Sequence, residues 1–78
     1  MSSLHHVSRE EYLSKFSPPQ MDAIEKYAKG NFAVKNYANY IESNEVIDTR
    51  HPLVVEGLRV LVKLGVVSQR MYTVLIAF

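Results

Sequence analysis

Residues 53–64 read Leu-Val-Val-Glu-Gly-Leu-Arg-Val-Leu-Val-Lys-Leu. Only Glu56, Arg59 and Lys63 interrupt the apolar residues, and their spacing of three and four puts them on one narrow stripe. A helix from about 52 to 64 is therefore apolar almost all round, and such a helix must be enclosed by other elements. Pro52 suits its first turn and Gly65 its end. The chain has 78 residues, so the enclosing elements are few and short. The expected fold is all-α: a compact bundle of four to five short helices around a central buried helix. Gly57 costs that helix about 1 kcal/mol relative to Ala; close approach of a neighbouring helix and simple neutral tolerance are nearly even readings of it.

Other ways of stabilising a small chain are closed. A domain of this size buries only about 60% of its unfolded surface. With no Cys, neither a disulfide framework nor a thiolate zinc site is available. A hydrophobic share of 47% with a net charge of +1 excludes a disordered chain. Glu56, Arg59, Lys63 and Arg70 recur too often within 53–78 for a bilayer span. The first residues, MSSLHHVSREEYL, lack the apolar run of a signal peptide. A cytoplasmic protein without a membrane partner is expected.

The remaining elements follow from caps and periodicity. Residues 1–7 are expected to form a flexible tail ahead of a single helical domain, 8–78. Ser8 with Glu11 forms a capping-box pattern, with Val7 and Tyr12 as a hydrophobic staple, and predicts a short helix to about Phe16. Ser17 with Gln20 repeats it, and Pro18 opens a helix over 18–29. A third helix is predicted over 32–43, with Val34, Tyr37, Ala38 and Ile41 on its apolar face. Residues 46–51 read as a loop. Ser68 can cap a last helix from Gln69. The strand formers Tyr72 to Ile76 offer a strand instead, but a lone strand lacks a partner in a helical chain, so the helix is favoured.

Within 59–76, Val60, Leu61, Leu64, Gly65, Val66, Ser68, Met71 and Val74 resemble the helix-turn-helix pattern of DNA-binding proteins. The resemblance implies that Gly65 turns the chain and that Met71 and Val74 hold the second helix on the core. Base- and phosphate-directed contacts would then come from Arg59, Lys63, Gln69, Arg70, Tyr72 and Thr73. Leu61 departs from the pattern, which prefers a small residue there. The segment after Val74 is wholly apolar, where a reading helix carries polar residues. Residues 50–78 carry four bases against one acid, giving +3, and residues 1–49 carry five bases against seven acids, giving −2. Four cations fall short of the six to ten phosphate contacts of tight binders, so a DNA-binding form would be a dimer.

Catalytic patterns are absent. The chain has no Gly-rich phosphate loop, no GxSxG turn and no HExxH. His5 and His6 fall in the expected tail, and His51 reads as a turn or cap residue. No enzyme activity, cofactor or metal is expected. A surface rich in aromatic and amide groups runs through Phe32, Asn36, Tyr37, Asn39 and Tyr40, a composition suited to protein interfaces. The apolar end, including Tyr72, Ile76 and Phe78, is expected to contribute intermolecular surface. The leading expectation is a small non-enzymatic protein-binding module, an adaptor, assembly factor or inhibitor of the kind that phages also encode. The alternative is a dimeric helix-turn-helix DNA-binding regulator.

Overall fold

The computed structural model describes residues 6–77. Its five helices each start on a side chain that accepts a backbone amide of the first turn, which satisfies a donor the helix itself cannot. Ser8 caps α1 (Arg9–Leu13), Ser17 caps α2 (Pro18–Ala28) and Asn31 caps α3 (Phe32–Ser43). His51 caps α4 (Pro52–Lys63) and Ser68 caps α5 (Gln69–Ile76). At Ser17 the full capping box forms, with Gln20 returning a bond to the Ser17 amide at 2.9 Å. The C-terminal segment is thus helical, and the mostly helical bundle is as the sequence predicts.

Two strands were not anticipated. β1 (His6–Ser8) pairs antiparallel with β2 (Val46–Asp48), placing Val7 opposite Ile47. Both of these side chains are buried. His6 and Val7 therefore do not belong to a tail, and the start of the expected 46–51 loop is a strand. Residues 1–5 lie outside the described residues. The physical reason is non-local: each strand has three residues, too short for a periodic signal, and each exists because the other satisfies its amides. The first helix also stops at Leu13, short of Phe16.

α4 lies between α3 and α5 and contributes Val54, Gly57, Leu58 and Leu61 to the buried core. Its two ends are less enclosed, since Leu53 and Leu64 remain partly exposed. α3 comes so close that a Cβ on Gly57 would overlap the Tyr37 Cβ and stand 2.6 Å from its Cγ. Gly57 is therefore a point of close approach, one of the two readings its sequence position allows. Beneath the seam, the Tyr37 and Tyr12 hydroxyls share a buried hydrogen bond of 3.0 Å. Burial pushes the Tyr12 phenol up to about 12 and raises Tyr37 well above its ordinary value.

After α4 the chain reverses at Gly65, whose φ of +79° is left-handed and suits a residue without Cβ. α5 then docks through Leu75, which is fully buried, while Val74 is 53% exposed. This differs from the helix-turn-helix expectation, in which Met71 and Val74 face the core. The helix is turned by about one residue, or roughly 100°, so that Met71, Tyr72, Leu75 and Ile76 lie inward or half-buried.

Candidate binding surfaces

The expected aromatic and amide patch does not survive as one surface. On α3 the buried residues Val34, Tyr37 and Ile41 define the inner face. Tyr37 is thus a core residue, 2% exposed, and not part of an exposed aromatic patch. Its polar tip is satisfied inside by Tyr12, which is why an amphipathic ring can be buried there. Tyr40 is half-buried: its hydroxyl accepts the Asp48 amide at 3.1 Å, and its ring stacks on His51 at 4.3 Å between centroids. It braces β2 and the start of α4 and so serves the fold. Phe32, Asn36 and Asn39 share the opposite stripe of α3 by their spacing of four and three. Phe32 is 77% exposed and is the most exposed large apolar side chain among the described residues.

At the C-terminus, Ile76 is half-buried and its carbonyl accepts the Arg50 Nε at 3.1 Å, which closes the end of α5. Phe78 lies outside the described residues. The His51 imidazole accepts the Leu53 amide through Nδ1 at 3.1 Å, so it is the cap residue the sequence suggests. Among the described residues, no group of three or more His, Asp or Glu side chains converges as metal ligands would.

Three concave surfaces stand out among the described residues. One, of about 290 Å³, is lined by Ser8, Arg9, Glu10, Leu13 and Glu45 beside the strand pair. The other two bear on the sequence-predicted site residues. The first of these is a cleft of about 250 Å³ between α1, α2 and α3, lined by Leu13, Met21, Ile24, Tyr37, Ala38 and Ile41. Two exposed carboxylates, Glu25 and Glu42, complete it. Sequence reading places Tyr37, Ala38 and Ile41 on the apolar face of the third helix, because helical periodicity identifies a face and not whether a neighbour fills it. The Gln20 amide, which reaches the Val66 carbonyl at 3.1 Å, ties the start of α2 to the turn before α5.

The second is an open groove of about 560 Å³ between α4 and α5. Glu56, Arg59 and Lys63 line it from α4, and Gln69 and Tyr72 from α5. Four of the six residues expected to face DNA are therefore gathered here, while Arg70 and Thr73 are exposed but do not line the groove. Thr73 spends its hydroxyl on the Gln69 carbonyl at 3.0 Å. The neighbouring Tyr72 side chain raises the pKa of the Arg59 guanidinium above its ordinary value, with Glu56 adding to the effect.

The sequence matches no protein-family model, and the chain finds no match among curated proteins or solved structures. No helix among the described residues is long and apolar enough to cross a membrane.

Proposed function

We propose that this chain is a small non-enzymatic protein-binding module that takes an apolar side chain of its partner into the α1–α2–α3 cleft. The observation that carries the reading is the cleft itself: an apolar floor left uncovered beside two carboxylates. Apolar concavities are where binding partners anchor. Glu25 and Glu42 favour an anchor with a basic neighbour, since opposite charges at a rim steer encounter and fix register. Met21, 37% exposed, gives the lip an unbranched, adaptable chain. Adaptor, assembly-factor and inhibitor roles all fit such a surface.

Ala38→Arg tests it, because Ala38 lines the cleft and is only half-buried. The wild-type protein should retain a protein partner from lysate with or without nuclease treatment, and Ala38→Arg should release it. Retention by the variant, or loss on nuclease treatment alone, would sink the reading.

The second reading is a dimeric helix-turn-helix regulator of DNA. What favours it is the convergence of Arg59, Lys63, Gln69 and Tyr72 in one groove. What weighs against it is the exposed Val74 on the outer face of α5, where polar readers are needed. Under this reading duplex binding falls steeply with salt and weakens in Arg70→Ala.

A further inference from the structure

The α4–α5 groove has the wrong charge economy for a nucleic acid and a suitable one for a carboxylate. Its two cations, Arg59 and Lys63, stand one helical turn apart on α4, and Glu56 lies one turn before Arg59 on the same stripe. A phosphate backbone following this groove would meet that carboxylate at one end. It would find two cations where tight binding neutralises six to ten phosphates. A single carboxylate or a short acidic stretch needs less: a planar donor, a second cation and polar groups opposite.

The groove supplies each of these. Tyr72 stands on the α5 wall opposite Arg59, with its side chain half-buried. A guanidinium presents donors in a fork that matches a carboxylate. Lys63 is exposed on the α4 wall of the groove. Gln69 adds an amide on the α5 wall.

We infer that the α4–α5 groove is a second docking site, taking an acidic segment of a protein partner between Arg59 and Lys63 on one wall and Gln69 and Tyr72 on the other. The inference rests on the protein-binding reading only for the class of partner. It uses a surface separate from the α1–α2–α3 cleft, so the two can fail independently.

The probe is a hexaglutamate peptide titrated into the ¹⁵N-labelled full chain, with hexaglutamine and a short DNA duplex as parallel arms. Hexaglutamate should shift the amides of residues 59, 63, 69 and 72 and hexaglutamine should not. Binding should weaken about tenfold from low to physiological salt. The double variant Arg59→Glu/Lys63→Glu should weaken it at least about twentyfold. Its amide spectrum reports whether the fold is intact; single substitutions to Gln, expected to weaken binding about fivefold each, serve if it is not. Tyr72→Phe, which removes a hydroxyl from the α5 wall without removing charge, should weaken binding about threefold and leave the salt dependence unchanged. Ala38→Arg should leave the titration as in the wild type. Equal binding of hexaglutamine, indifference to charge reversal, or duplex DNA binding more tightly through the same residues would each overturn the inference.

Discussion

Helix α4 meets its two neighbours in opposite ways. Toward α3 it presents Gly57, and the helices close until Tyr37 occupies the space a Cβ would need. Toward α5 it presents Arg59 and Lys63, and the helices leave a groove of about 560 Å³. Long charged side chains keep their heads in water and hold a neighbour away, whereas a missing side chain admits one. One helix thus makes a closed seam with one partner and an open site with the other, and the difference is written in three residues of its own sequence.

The strongest challenge to this contrast addresses α5. If it is anchored below the groove by Leu75, Leu75→Ala should cost about 3 kcal/mol, while Val74→Ala next to it should stay within about 0.5 kcal/mol. Urea unfolding of the pair measures this, and equal effects would mean that α5 is not seated as described.

Alkaline pH probes the closed side. Tyr12 is raised to about 12 when folded, against about 10 when unfolded. Between those values the folded chain holds more protons than the unfolded one, so stability falls as pH rises. The loss reaches about 2–3 kcal/mol from Tyr12 once both states are ionised, and Tyr37 adds in the same direction. Below about pH 9 neither group contributes any slope. Denaturation midpoints from pH 8 to 12 should show this decline, made shallower by Tyr12→Phe.

Gly57→Ala comes next. Intrinsic helix propensity alone predicts a gain of about 1 kcal/mol, but the new methyl meets the base of the Tyr37 side chain, which cannot swing aside without moving α3. Overpacking should dominate and leave a net loss of about 2 kcal/mol, seen as a lowered thermal midpoint. A gain would show that the seam is looser than drawn. The smallest effect is expected at His51→Ala, which removes the α4 cap and should cost about 1 kcal/mol; amide exchange in the first turn of α4 should quicken with it.

Much of the helical layout is legible in the sequence because it is fixed locally. Ser17 and Gln20 lie within one turn of each other, and so do Ser68 and Met71, so their bonds need nothing from the rest of the chain. Close approach at Gly57 is one of two readings its position amid apolar residues allows, and the contact with Tyr37 decides between them. The strand pair could not be read, because Val7 and Ile47 are forty residues apart, with α1, α2 and α3 between them in the chain. Periodicity places Tyr37 on the apolar face of α3 and Phe32 off it, but does not tell how deeply Tyr37 is buried. Both are aromatic residues of one helix, and one faces Gly57 and Tyr12 while the other faces water.

The sequence by itself determined a cysteine-free helical chain, the starts of its helices and the one helix that others must enclose. Tertiary structure decided the rotation of α5, the pairing of β1 with β2 and the surfaces left open. Those depend on which side chains compete for the same volume: Leu75 is fully buried while its neighbour Val74 is exposed. Periodicity names the contenders for the core, and only the packed molecule decides among them.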